Sequence, residues 1–159
     1  MTRLYVRTET DFREATSEEI IASAQTLISR RFRRGAQLLT TPELTKAFLK
    51  LHLGSLDYEV FGLLHLDSRN RLIAAENLFR GTLDGASVYT REVVQSALTH
   101  RAASVILYHN HPSGVPDPSE ADIAITQRLR QALALFDVKV VDHLVIAETI
   151  FSFSEAGML

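Results

Sequence analysis

Residues 103–122 read ASVILYHNHPSGVPDPSEAD. Ala103 to Tyr108 is an apolar run of strand length, and it leads directly into two histidines one residue apart. On a strand, residues i and i+2 face the same side. If the strand persists through His111, His109 and His111 project together and Asn110 faces away. Pro112 stops the strand, and Gly114, Pro116 and Pro118 turn the chain. Ser119 then opens a helix, which puts Asp122 in its first turn near the strand end. Two neutral imidazoles and a carboxylate are a usual protein ligand set for catalytic zinc, with the remaining position left to water. Zinc lowers the pKa of that water and makes hydroxide accessible near neutral pH. Each half of the pattern also has an ordinary reading. A His-x-His pair occurs without metal, and a serine with a carboxylate three residues later is a capping pair. Ser119 can cap the helix and still face the metal.

Outward from this unit, helices and strands alternate without an internal repeat. Before it, Glu59–Asp67 and Arg71–Phe79 read as strands joined by the polar turn Ser68-Arg69-Asn70, a hairpin. A helix is expected over about Arg91–Arg101, with Thr90 as cap and Val93, Val94 and Leu98 inward. After it, a long helix carries the stripe Ile125, Leu129, Leu133 and Phe136, followed by strands at Val138–Ala147 and Ile150–Phe153. Nearer the N-terminus, residues 1–15 read as a loose polar arm. A helix over about Glu18–Phe32 begins with a Thr16/Glu19 capping box and carries Ile20, Ile21, Ala24, Leu27 and Ile28 at helical spacing. A second runs from Pro42 to about His52, with Thr41 as N-cap and Gly54 past its end. The expected fold is α/β, a mixed sheet with helices packed on it. A helical N-terminal extension, residues 1–55, joins a main domain at 56–159.

With 159 residues, 46% hydrophobic and 23% charged, the chain is long enough for one domain with its own core. A net charge of −2 gives no global attraction to nucleic acid or anionic membrane. No run approaches a membrane span, and the charged N-terminus lacks the apolar core of a signal peptide. A soluble cytoplasmic protein is expected. The absence of cysteine excludes disulfides, thiol nucleophiles and thiolate zinc sites, so a transition-metal site must use His and carboxylates.

His109, His111, Pro112, Ser119 and Asp122 match the JAMM motif of the JAB/MPN metalloprotease superfamily. HNHPSG (109–114), PSEAD (118–122) and DHLVI (142–146) resemble its RadC branch, as do GTLDGASVYTREVV (81–94) and FSFSEAGML (151–159). The resemblance runs from about residue 56 to 159. It is to the short forms, which lack the helix-hairpin-helix region that longer RadC proteins carry. Tyr108 stands where alanine is usual, and Thr90 where proline is usual. The resemblance implies a three-layer, cytidine-deaminase-like fold and a zinc ion (Zn2+) held by His109, His111 and Asp122. It implies hydrolysis of a peptide or isopeptide bond in a peptide or protein substrate. The superfamily also uses an early-strand glutamate to handle the protons of the attacking water. Glu59 occupies the matching position, with Glu76 as its competitor. Ser119 would donate a hydrogen bond to the developing oxyanion.

The other histidines read as structural. His143 lies within an apolar strand, as a core histidine bonded to a carboxylate. His65 and His52 read as structural or exposed, and His100 suits a helix C-terminus. Ser113 has no base at a recognisable spacing. Arg30, Arg31, Arg33 and Arg34 surround Phe32, and a basic cluster of this kind can grip phosphates. A solvated helix end explains it as well. The cluster, with the family's old association with DNA repair, supports a competing reading: a non-catalytic DNA-associated or protein-binding module with a structural zinc site. A zinc deaminase is excluded, because that chemistry needs a downstream Pro-Cys-x-x-Cys. The letters HNH match a nuclease name only by accident, since that name describes residues spread along a ββα unit rather than a tripeptide.

Overall fold

The computed structural model describes residues 3–7, 10–33, 41–54, 56–81 and 88–159. Strands β1 (Tyr5–Arg7) and β2 (Phe12–Glu14) are followed by helices α1 (Ser17–Arg33) and α2 (Pro42–Leu53). Then come β3 (Val60–Leu66), β4 (Leu72–Arg80), α3 (Thr90–Thr99), β5 (Ser104–Asn110), α4 (Glu120–Ala134), β6 (Lys139–Ile146) and β7 (Ile150–Ser152). The main sheet has five strands in the order β4-β3-β5-β6-β7. β5 and β6 pair in parallel and the other neighbours pair antiparallel, so the sheet is mixed as expected.

Central strands β3 and β5 are apolar on both faces because both faces are covered. On one face, Phe61, Leu63, Val105 and Leu107 pack with Val93 and Ala97 of α3 and Ile125, Leu129 and Leu133 of α4. On the other, Val60, Leu64, Tyr108, Leu144 and Ile146 pack with Phe48, Leu49 and Leu53 of α2. The result is three layers. The boundary expected near residue 55 falls between α2 and β3, which share this second core. Lys46 of α2 also pairs with Glu155 at 2.6 Å, tying the helix to the C-terminal turn.

Local signals in the sequence account for most of the boundaries. Thr16 and Glu19 exchange hydrogen bonds at the start of α1, at 3.3 and 3.0 Å. Thr41 caps α2, with Pro42 in its first turn and Gly54 at its end. The β3–β4 turn places Asn70 at φ 56°, and Asp67 Oδ1 accepts from the backbone of Arg69 and Arg71.

Several expectations are corrected. Part of the N-terminal arm is a short hairpin of β1 and β2, with Tyr5 and Phe12 exposed. It has no alternating buried face, so nothing in the pattern marked it. The α1 stripe does not build core: Ile20, Ile21 and Leu27 are exposed. The Ile28 side chain lies outside the described residues. Thr90 is the first residue of α3 rather than its cap, which is Tyr89 without a side-chain hydrogen bond. Leu98 points to solvent, and Ala97, one turn beyond Val93, takes the inward place. Phe136 falls beyond the end of α4 and is exposed. Among the described residues, no helix is long and apolar enough to cross a membrane.

Tyr108 is fully buried, and its hydroxyl donates to Asn77 Oδ1 at 2.7 Å. Its ring lies where a Cβ on Gly62 would stand, and the Glu76 carbonyl crowds the same space. Gly62→Ala is therefore expected to lower stability by about 1–3 kcal/mol through overpacking, measured by chemical denaturation. Wild-type stability in that variant would contradict the fit of Tyr108 over Gly62.

Candidate metal centre

β5 ends at Asn110, and the His111 backbone N–H extends the ladder by donating to the Ile146 carbonyl at 2.8 Å. His109 and His111 therefore project to one side, with their Nε2 atoms 2.9 Å apart. α4 starts beside them. Ser119 is its N-cap, and a capping box joins it to Asp122: Ser119 N–H donates to Asp122 Oδ2 at 2.7 Å, and Asp122 N–H to Ser119 Oγ at 3.2 Å. The Ser119 hydroxyl also donates to Asp122 Oδ2, at 2.6 Å. This leaves Oδ1 aimed at His109, 3.2 Å from its Nε2, while Oδ2 lies 3.6 Å from His111 Nε2. His109 and Asp122 are fully buried, and His111 opens to the surface.

The hydrogen bonds around these groups decide what the centre holds. His111 Nδ1 donates to the Val115 carbonyl at 2.9 Å, so neutral His111 keeps a lone pair on Nε2. Asp122 Oδ1 is buried and accepts no well-aligned hydrogen bond among the described residues. Acceptors thus converge with no donor of their own, and a positive charge between them relieves the conflict. The pKa shifts follow. Burial alone would push the Asp122 carboxyl up, but the His109 and His111 imidazoles outweigh it and hold the group well below the usual carboxylate range. The hydrogen bond to Asp122 raises His111 against its desolvation, assisted by the Val115 carbonyl and the charges of Asp122 and Glu59. A proton at this point stands in for a cation. Two nitrogens and a carboxylate oxygen on a buried orphan acceptor fit a divalent metal of the zinc type.

Glu59 sits immediately before β3, half-buried and near enough to raise His111 by its charge. The residue that holds it there is Asn110. The Asn110 side chain accepts from Val60 N–H at 2.8 Å and donates to the Tyr58 carbonyl at 2.9 Å, bracketing Glu59. The Glu59 carbonyl also accepts from Gly81 N–H at 3.0 Å. Strand alternation shows only that Asn110 faces away from the histidines. Buried side-chain amides commonly bond backbone, which is the one signal for its role, and the strand pairing decides which backbone it meets.

Glu76 belongs to a different cluster. Ser96 Oγ donates to Glu76 Oε2 at 2.5 Å and lies 3.1 Å from His65 Nε2, while His100 Nδ1 donates to the Ser96 carbonyl at 3.0 Å. The His65 and His100 rings stack at 4.2 Å and 14°, so their in-plane lone pairs run side by side rather than to one point. With a serine hydroxyl among these groups, the cluster is a hydrogen-bonded network. Burial, then the charge of His100, pushes His65 down to about 4.

His143 is a core histidine, but its ring partners correct the expected carboxylate. They are His109 Nδ1 at 2.8 Å and Thr126 Oγ1 at 2.6 Å. Desolvation pushes His143 well below its ordinary value, and any positive charge on His109 would push it the same way. The Asp142 carboxylate serves backbone instead, accepting from the N–H groups of His143 and Ser154 and from Ser152 Oγ. The side chains of Arg30, Arg31 and Arg33, and all of Arg34, lie outside the described residues.

A raised His111 contributes stability that is complete below its ordinary value of 6.5 and is lost as pH rises through its folded pKa. His65, His143 and His52 are lowered and act only below that value. Metal-free protein is therefore expected to lose thermal stability as pH rises above about 6.5, where Asp122→Asn shows no such decline. Melting curves in chelator across that range check this; a flat wild-type profile contradicts it.

The RadC-like JAB domain matches residues 39–158 of the chain. A UPF0758 protein of Thioalkalivibrio sulfidiphilus is 50% identical over 145 residues, covering 91% of this chain and 65% of that protein. One from Janthinobacterium sp. (strain Marseille) is 57% identical over 122 residues, 76% of this chain and 54% of its own length. One from Vibrio cholerae serotype O1 is 51% identical over 141 residues, 89% of each chain. The chain thus spans about half to two thirds of the first two relatives and most of the third. With a mixed sheet, three layers and a His-x-His strand end facing the first turn of a helix, the chain belongs to the RadC-like JAB domain family.

Proposed function

We propose that the chain is a zinc-dependent hydrolase that cleaves a peptide or isopeptide bond in a peptide or protein substrate. The observation that carries this reading is the convergence of His109 Nε2, His111 Nε2 and Asp122 Oδ1 around a point that calls for positive charge, with Glu59 beside it. His109, His111 and Asp122 would hold the ion. Zinc bound there supplies Lewis acidity, which polarises a carbonyl and makes water nucleophilic near neutral pH.

The chain's own residues do the rest. Glu59 takes a proton from the attacking water and returns one to the leaving amine. Asn110 fixes the backbone on both sides of Glu59, so the carboxylate stays within reach of that water. Ser119 orients Asp122 through its hydroxyl; turning that hydroxyl outward gives a donor for the substrate oxyanion. The partly exposed side of His111 is the approach for substrate. A cytoplasmic location belongs to the same reading. The DNA-associated alternative rests on Arg30, Arg31, Arg33 and Arg34, whose side chains lie outside the described residues, and on the family's old association with DNA repair.

Metal analysis of purified protein beside Asp122→Ala, with peptide-library cleavage, tests the proposal. Asp122→Ala is expected to lose zinc. Glu59→Gln should keep zinc and lose turnover by roughly 10²–10⁴-fold, and Ser119→Ala should lower turnover while retaining metal. Asn110→Ala should lower kcat with zinc content unchanged. Zinc bound equally by Asp122→Ala sinks the ligand assignment, and full turnover in Glu59→Gln sinks the proton-transfer assignment.

A further inference from the structure

We propose that His143 and Thr126 are positioning residues that set the tautomer of His109, presenting its Nε2 lone pair to the metal. The proposal rests on the metal reading above and extends it inward, to groups that touch neither ion nor substrate.

The direction of each hydrogen bond follows from the one before it. The Asp122 backbone carbonyl can only accept, so Thr126, 2.5 Å away, spends its single hydroxyl hydrogen there. Thr126 Oγ1 must then accept from His143 Nδ1–H at 2.6 Å. His143 is fully buried, and no carboxylate bonds its ring among the described residues, so the ring is neutral and its Nε2 is bare. That nitrogen accepts from His109 Nδ1–H at 2.8 Å. His109, buried as well, is left with a lone pair on Nε2, the atom facing His111 and Asp122. A helix carbonyl thus dictates, through a hydroxyl and two rings, which nitrogen of a ligand is free.

Packing holds the relay in line. The His143 ring stacks on Phe153 at 4.8 Å and 20°, and meets Phe61 edge-on at 5.7 Å. Thr126 lies one helical turn after Asp122, so the relay closes on the residue whose carboxylate is a ligand. Ligating histidines commonly donate their second N–H to a carboxylate, carbonyl or water. Here the acceptor is a neutral imidazole, which orients His109 without adding negative charge. The relay therefore adds no negative charge of its own to that of Asp122 beside His109 and His111, which preserves Lewis acidity.

Thr126→Val keeps the side-chain shape and removes the hydroxyl; Thr126→Ser keeps the hydroxyl. Zn2+ affinity by competition with a chromophoric chelator, and imidazole 15N shifts of metal-free protein, read the two variants. Thr126→Val is expected to bind zinc roughly 10–100-fold more weakly and to lose the exclusive Nδ1–H form of His109. Thr126→Ser is expected to stay close to wild type in both. His143→Phe, which preserves the stacking, should repeat the Val result if Thr126→Val does not fold. Wild-type affinity in Thr126→Val or His143→Phe overturns the proposal, as does equal weakening in Thr126→Ser. Should wild type take up no zinc, the metal reading fails on its own. The 15N shifts then still judge the relay: a proton on His109 Nδ1 that Thr126→Val redistributes upholds it, and a proton on Nε2 overturns it.

Discussion

Parallel pairing of β5 with β6 obliges the chain between them to cross over the sheet, and α4 is that crossover. Its N-terminus must start where β5 ends, so Asp122 in its first turn meets His109 and His111 at the strand tip. The same pairing lays β6 beside β5 and puts His143 behind His109. A buried carboxylate is costly unless a positive charge or hydrogen bonds compensate it. Ser119 satisfies one oxygen of Asp122, the one nearer His111, and leaves the other facing His109. The topology thus creates an electrostatic demand that a proton or a metal meets.

The hydrogen-bonding residues around the centre divide the labour by face. His109 and His111 look to one side of β5, while Asn110 looks to the other and fixes the start of β3. One tripeptide therefore positions both the paired imidazoles and the chain on either side of Glu59. Tyr108, the residue before this tripeptide, ties β5 to β3 through its fit over Gly62 and to β4 through its bond to Asn77. The ring of Tyr108 occupies space left by a glycine, and its hydroxyl is satisfied, so it leaves no buried polar group unpaired.

Much of this was legible because it is local. Strand alternation, the proline after His111 and the Ser119–Asp122 capping pair each act within a few residues, and they place the two histidines and Asp122 on one strand end and one helix turn. The hairpin, the mixed sheet and the caps of α1 and α2 follow from equally short patterns. The misreadings lie where a pattern has no single partner. Ile20, Ile21 and Leu27 have helical spacing but stay exposed, and Leu98 and Phe136 continue stripes past the surface that would cover them.

The sequence by itself determined the donor types, their spacing and the elements that carry them, since backbone periodicity and side-chain chemistry are properties of short segments. Tertiary structure alone decided which distant groups serve them. It turned His143 from a carboxylate partner into the acceptor for His109, drew Glu76 into the network of His65 and His100, and made Asn110 the support of Glu59. Those choices depend on strand order and register, which bring residues 20 to 52 positions apart into hydrogen-bonding distance, and no local pattern encodes them.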